Sequence, residues 1–231
     1  REFGYTIIEN ALESDRLTAV RDRLTAQADA EIEAGIAFED QGTEQNRTKD
    51  YDQLPEDTFT AANGGVNQRV WMLVNKGQVF RDLVTHRFMT PLIEFLLGPQ
   101  FLLSTLSANI AKPGGVQMGL HTDQWWMPRP MPRNEAPVAP GAIDRGEYYG
   151  AGNADPECLI NPPCACNVMY CLNDFTELNG GTRLVPKSHL TGLQPPPDVP
   201  HTVPSIGAEA KAGSAILFEG RMWHGTGANR S

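Results

Sequence analysis

Hydrophobic residues in the first hundred positions recur with a helical period. From Ser14 onward they occupy one face of a predicted amphipathic helix, at Leu17, Val20, Leu24 and Ala28. Ser14 is the predicted N-cap. Residues 77–98 carry the same signal and predict one helix interrupted near Pro91, because proline breaks helical hydrogen bonding. The polar stretch 37–65 between them predicts a long loop, of the kind that acts as a lid or binding loop.

The hydrophobic pattern after residue 100 changes to short β-type runs. They are FLLSTLSANIA, VQMGLHTDQWW, ACNVMYCLNDF, GTRLVP and GSAILFEG. No segment of helical length separates them, which argues against a parallel βαβ sheet. Helices followed by many short strands predict a mainly β fold with flanking helices and a jelly-roll core. Without an internal repeat or linker, residues 1–231 are predicted to form a single domain. Its helical region, about 1–100, would pack on a barrel, about 101–231.

Composition and charge narrow the class of partner. The 231 residues are 40% hydrophobic and 20% charged, which is typical of a globular protein. A net charge of −9 without a cluster of basic residues argues against binding to nucleic acid or to an anionic membrane surface. No apolar run approaches the roughly 20 residues of a membrane helix, and no signal-peptide pattern opens the chain. We therefore expect a cytoplasmic protein without membrane insertion whose partner is a small molecule.

Four cysteines lie close together in PECLINPPCACNVMYC, at Cys158, Cys164, Cys166 and Cys171. Their spacing matches the paired C-x2-C knuckles of zinc sites poorly. Cys166 and Cys171 fall on opposite faces of an apolar run, where a free cysteine behaves as a small buried hydrophobe. We expect structural thiols, with a disulfide or a zinc site as the alternatives.

The stretch GLHTDQWW carries the candidate chemistry. His121 and Asp123 have the i, i+2 spacing that places both side chains on one face of a strand, here the inner face of a barrel. Such a pair can hold a metal, form a catalytic dyad or make a buried hydrogen bond. His224, just after the run GSAILFEG, is the candidate third ligand. Two histidines and one carboxylate make the facial triad of non-haem Fe(II) oxygenases. The competing interpretation is a surface pair and an unrelated core histidine.

Three stretches, in order, resemble the phytanoyl-CoA dioxygenase family of Fe(II)/2-oxoglutarate-dependent oxygenases: GLHTDQWWMP, LNDFTELNGGTRLVPKSHL and WHGTGANRS. The earlier stretch QRVWMLVNKG is also similar to that family, and the resemblance runs from about Gly4 to Asn229. It implies a double-stranded β-helix, or cupin-like, fold. It also implies that His121, Asp123 and His224 are the catalytic iron ligands. Fe(II), 2-oxoglutarate and O2 would be used, with release of succinate and CO2.

The resemblance also implies cosubstrate-binding residues. Thr182 in NGGTR matches the family position that hydrogen-bonds 2-oxoglutarate, although a strand-opening threonine is the simpler alternative. Gln117 shares strand parity with His121 and is expected to face inward, either toward the cosubstrate or as a buried amide. The family's arginine for the 5-carboxylate is expected beyond Ser231, on a strand that closes the barrel. Arg183 and Arg230 are the substitutes that the sequence offers, and Arg183 should point away from Thr182.

The substrate class follows from the residues around the motif. Trp125 and Trp126 are predicted pocket residues, of which at most one can face the barrel mouth, and core packing is the alternative for each. Few cationic residues lie near the motif, which favours a hydrophobic small molecule such as a lipid, terpenoid or polyketide over a CoA thioester. The retained Asp123 favours hydroxylation or another oxidation, because related halogenases carry a small residue there. The other functional hypotheses are a non-catalytic jelly-roll binding protein and a zinc hydrolase with the same triad.

Overall fold

The computed structural model describes residues 2–40, 67–115, 117–124, 163–195 and 203–231. The helices in these ranges are α1 (Ser14–Glu33), α2 (Gln78–Val84) and α3 (Met89–Leu97). The strands are β1 (Tyr5–Ile8), β2 (Phe38–Asp40), β3 (Asn67–Val70), β4 (Ala108–Ala111), β5 (Cys166–Tyr170), β6 (Thr182–Leu184), β7 (Ile206–Gly207), β8 (Ala215–Glu219) and β9 (His224–Thr226). Most of the loop predicted for residues 37–65 lies outside the described residues.

The helices follow the predicted periodicity, with two corrections. Helix α1 buries the expected apolar face, but Ser14 is its first helical residue, and the N-cap is Glu13, whose side chain makes no cap hydrogen bond. The single helix predicted for residues 77–98 is two helices, α2 and α3, which are separated at residues 85–88. Pro91 lies in the first turn of α3, where its missing N–H needs no helical acceptor. No helix in the described ranges combines the length and apolar character needed to span a bilayer.

The strands form three antiparallel sheets of three strands each, in the orders β1-β8-β5, β2-β3-β4 and β7-β6-β9. Antiparallel pairing with flanking helices confirms the predicted mainly β class. Strand β8 is buried along its whole length between β1 and β5. Its residues Ile216 and Phe218 share a buried cluster with Cys171, Leu184 and Met222. This cluster forms the floor beneath the candidate site.

The sheet β2-β3-β4 has two chemically different faces. Gln68 and Val70 of β3 face helix α1, where the Gln68 amide donates a hydrogen bond to the Ala28 carbonyl at 2.9 Å. Arg69 alternates with them and points to the opposite face, where Asn109 of β4 lies directly across from it. The helix-facing side belongs to the apolar core, whereas the other side carries Arg69, Asn109 and the aromatic ring of Phe38.

The cysteines in the described part of the chain are free thiols. Cys171 is buried, Cys166 is half-buried and Cys164 is exposed. Burial raises the pKa of Cys166 to about 11 and that of Cys171 to about 12, so both thiols are protonated at neutral pH. Cys158 lies outside the described residues. Cys166 and Cys171 therefore fit the structural role expected for them, whereas exposed Cys164 does not.

Candidate metal centre

Backbone hydrogen bonds hold the H-x-D pair against the strand that follows β8. The N–H of His121 donates to the His224 carbonyl at 2.9 Å, and the N–H of His224 donates to the His121 carbonyl at 3.0 Å. The N–H of Asp123 donates to the Gly220 carbonyl at 2.8 Å. The continuous strand predicted for this stretch is wrong for residues 117–124, which make only an isolated bridge at His121 and then turn. Long-range pairing, rather than strand geometry, places the two side chains together.

The three candidate ligands converge on one point. Nε2 of His121 lies 3.6 Å from one carboxylate oxygen of Asp123, and Nε2 of His224 lies 3.2 Å from the other. The two imidazole rings are 4.4 Å apart between centroids. One potential ligand atom from each of the three residues lies within 4.8 Å of the others. The structure therefore brings the predicted triad together.

The carbonyl groups beside the two histidines fix their tautomers. Nδ1 of His121 is 3.0 Å from the Gly119 carbonyl oxygen, and Nδ1 of His224 is 2.9 Å from the Met222 carbonyl oxygen. A carbonyl oxygen can only accept a hydrogen bond, so each Nδ1 carries the hydrogen. The Nε2 atom of each ring consequently faces Asp123 and is the atom available to a metal. Carbonyl groups that orient metal-binding histidines in this way are typical of metal sites.

Burial and neighbouring charges set the protonation states of His121 and Asp123. Burial, then the charge of His224, lowers the pKa of His121 to about 4 against the opposing pull of Asp123, and Arg69 lowers it further. Burial alone would raise the pKa of Asp123, but the hydrogen bond and charge of His224, the charge of His121 and a hydrogen bond from Asn167 lower it to about 2. Neutral pH therefore gives a neutral His121 imidazole and a carboxylate.

The site is buried on one side only. The side chains of His121 and Asp123 are 34% and 35% exposed, whereas that of His224 is 8% exposed. The His224 ring packs against Phe218 with 4.6 Å between ring centroids. This packing holds His224 in place. The partly exposed side chains of His121 and Asp123 leave an open face through which a small molecule can enter.

Asn167 is a site residue that sequence analysis missed. It lies on β5, and its side-chain amide donates a hydrogen bond to the Asp123 carboxylate oxygen that also faces His224. The sequence signal was a single amide inside the apolar run CNVMY, which indicates a buried polar partner but not its identity. Asn167 holds the orientation of the carboxylate.

Of the two predicted cosubstrate residues, Thr182 lies on β6, which pairs with β9, the strand that carries His224. Thr182 is buried and lines a cavity of about 450 Å³, with its hydroxyl 3.5 Å from the Met169 sulfur. It lies directly across from Thr226, which shares a strand face with His224. Gln117 is half-buried in the segment that leads to His121. Trp125 and Trp126 lie outside the described residues.

The arginines considered from sequence do not reach the triad. The Arg183 guanidinium bonds to the Ser205 hydroxyl at 2.8 Å and to the Glu177 carboxylate. Arg230 is exposed. Arg69 was overlooked in the sequence, yet its charge acts on His121. Its position near the triad was hidden because β3 lies about fifty residues before the motif and belongs to a different sheet from β9, with which His121 pairs.

Comparison with known proteins gives matches along the whole chain. A family model described as phytanoyl-CoA dioxygenase (PhyH) matches residues 1–231. Dioxygenase af480 from Aspergillus fumigatus is 32% identical over 169 residues, which cover 71% of this chain and 44% of that protein. Dioxygenase FUM3 from Gibberella moniliformis is 40% identical over 177 residues, which cover 73% of this chain and 50% of that protein. The chain thus spans about half the length of these relatives.

Two solved structures share the fold. The epimerase SnoN from nogalamycin biosynthesis, solved with Fe3+, alpha ketoglutarate and nogalamycin RO, matches with a TM-score of 0.61 at 17% identity and covers 100% of this chain and 75% of its own. The alpha ketoglutarate dependent carbocyclase SnoK matches with a TM-score of 0.62 at 18% identity and covers 100% of this chain and 76% of its own. At these identities the likeness concerns the fold, and it confirms the predicted fold class.

Proposed function

Since the chain belongs to the phytanoyl-CoA dioxygenase family, we propose that it forms the metal-binding core of an Fe(II)/2-oxoglutarate-dependent oxygenase. The enzyme would oxidise a hydrophobic small molecule with release of succinate and CO2. The matched relatives are named dioxygenases, and one structural neighbour was solved with Fe3+ and alpha ketoglutarate. Both findings support the proposal.

The main support for this function is that potential ligand atoms of two imidazoles and one carboxylate lie within 4.8 Å of one another. With both Nδ1 hydrogens directed to carbonyl groups, both Nε2 atoms and the carboxylate face one another, and a metal cation can take the place of the protons that would otherwise lie between them. Two histidines and one carboxylate fit Fe(II), because three protein ligands leave three octahedral positions open. His121, Asp123 and His224 would hold the metal.

The bound iron would supply oxygen activation driven by the oxidative decarboxylation of 2-oxoglutarate. The chain's own residues position and shield the reactants. Asn167 orients Asp123, and the packing against Phe218 keeps His224 in place. We assign Thr182 and Gln117 to cosubstrate binding, and the location of Thr182 across from Thr226 supports this role. Bound to iron, Asp123 would fill the coordination position that a halide needs in a halogenase. This favours hydroxylation, desaturation or rearrangement.

The proposed substrate is a lipid, terpenoid or polyketide-like molecule. SnoN was solved with nogalamycin RO, a small-molecule ligand, which supports a substrate of this kind. We retain Trp125 and Trp126 as proposed pocket residues, since both follow Asp123 directly in the chain. An aromatic side chain beside the metal would pack against an apolar or ring-bearing substrate.

Metal content and product formation test this function. Full-length protein purified without chelator should contain iron, and under air it should convert 2-oxoglutarate to succinate in an iron-dependent reaction. Stoichiometric zinc with hydrolytic activity would favour a zinc hydrolase built on the same triad. Iron-loaded full-length protein that forms no succinate would favour the non-catalytic binding protein.

A further inference from the structure

The residue between the first two candidate ligands is tied to a distant glutamine. His121 and Asp123 are partly exposed, whereas Thr122 between them is fully buried. The Thr122 hydroxyl donates a hydrogen bond to the side-chain carbonyl oxygen of Gln194 at 2.7 Å. Gln194 is buried as well, so this bond is shielded from competing water. A constraint on Thr122 acts on both ligands, because they are its direct neighbours in the chain.

Residues 188–194, which end at this glutamine, are also attached to the chain beside the third ligand. The indole N–H of Trp223, which immediately precedes His224, donates to the Leu193 carbonyl at 2.8 Å. The backbone N–H of Trp223 donates to the Ser188 hydroxyl at 2.8 Å. Both contacts lie in the interior, because Trp223 and Ser188 are buried. One segment therefore contacts both parts of the chain that carry candidate ligands.

Backbone geometry alone does not fix the two neighbours of Thr122. Within the described residues 117–124, the chain makes an isolated bridge at His121 and then turns at Asp123. A regular strand would direct both side chains to one face, but a bridge followed by a turn does not. A hydrogen bond has a preferred length and angle, so the bond to Gln194 restricts the rotation of Thr122. The bond supplies a directional constraint at the point where the ladder ends.

We propose that Gln194 is a positioning residue for the metal centre: through the Thr122 hydroxyl it fixes the directions of His121 and Asp123 relative to His224. The inference rests on the proposed function and adds to its site a residue 72 positions away from Thr122 in the chain. The simpler alternative is a core hydrogen bond that stabilises the fold and leaves the ligands unaffected. The two roles differ in what happens when both partners of the bond are replaced.

Substitutions of similar shape separate the two roles. Thr122→Val and Gln194→Met each remove one partner and leave the polar atom of the other buried without it, which lowers stability. The double variant Thr122→Val/Gln194→Met replaces both partners by apolar groups, so the lost stability should largely return. Thr122→Ser keeps the hydroxyl and is the conservative variant. Thr90→Val is the matched control, because its hydroxyl bonds to the His86 carbonyl at 3.2 Å, at the junction of α2 and α3.

Three measurements on the full-length protein follow the variants. Calorimetric titration of the metal-free protein with Co(II) gives the metal affinity, and the visible spectrum of the bound Co(II) reports its coordination geometry. Denaturant unfolding of the metal-free protein gives the free energy of unfolding. Each single variant should bind Co(II) about tenfold more weakly, as is typical when a group that orients a metal ligand is lost. Thr122→Ser and Thr90→Val should bind Co(II) as the wild type does.

The double variant decides between the roles. Its free energy of unfolding should return toward the wild-type value, while its Co(II) affinity should stay about tenfold weaker and its Co(II) spectrum altered, because an apolar contact has no preferred direction. Wild-type Co(II) affinity in both single variants would overturn the proposal. Affinity that recovers together with stability in the double variant would also overturn it, because the bond would then act only through the fold.

The Co(II) titration keeps this proposal separate from the oxygenase function. It needs neither O2 nor 2-oxoglutarate, so it reports on Gln194 even if the protein forms no succinate. Absence of succinate with the expected loss of Co(II) affinity would contradict the oxygenase function alone. A wild-type protein that binds no metal would overturn both proposals.

Discussion

Asp123 is the residue at which the contacts of the metal centre meet. One of its oxygens faces His121 at 3.6 Å, and the other faces His224 at 3.2 Å and accepts a hydrogen bond from Asn167. A carboxylate held by an amide keeps one orientation, so its oxygens present themselves to a cation without a further loss of side-chain entropy. Asn167 is in this sense a positioning residue that acts through Asp123.

Replacing Asn167 tests this role. Asn167→Ala should weaken Fe(II) or Co(II) binding about tenfold, since loss of a group that orients a metal ligand typically costs 10- to 100-fold in affinity. The thermal midpoint without metal should change little, because the residue is only half-buried. Asn173→Ala, an exposed asparagine just after the same strand, is the control. Calorimetric metal titration measures the effect, and unchanged affinity in Asn167→Ala would show that the hydrogen bond does not position Asp123.

Secondary-structure elements differ in how well the sequence predicts them. Helix α1 was predictable because its apolar period persists over 20 residues. Strands β1 to β3, with three or four residues each, were not identified, because such lengths carry too little periodic signal. The ligand residues were identified by residue type and resemblance, but the strand assigned to His121 and Asp123 was wrong. Its conformation depends on pairing with His224, a contact about a hundred residues away that local pattern cannot show.

The whole molecule assembles its candidate site from distant parts of the chain. The 117–124 segment supplies two ligands and β9 supplies the third. β5 supplies the amide that orients the carboxylate, and β3 supplies a cation. These elements meet only when the sheets pair, so the unfolded chain has no preformed metal site. We propose that the folded molecule binds Fe(II) at this triad and 2-oxoglutarate on that iron.

The anaerobic visible spectrum tests this claim most directly. Full-length protein with Fe(II) should develop the weak charge-transfer band of the iron–2-oxoglutarate chelate when the cosubstrate is added, and the band should titrate to one iron per chain. His224→Ala removes a buried ligand from a strand whose neighbours keep their core, so it should remain folded and show no band. A wild type without the band, or a His224→Ala variant that retains it at full intensity, would contradict the account.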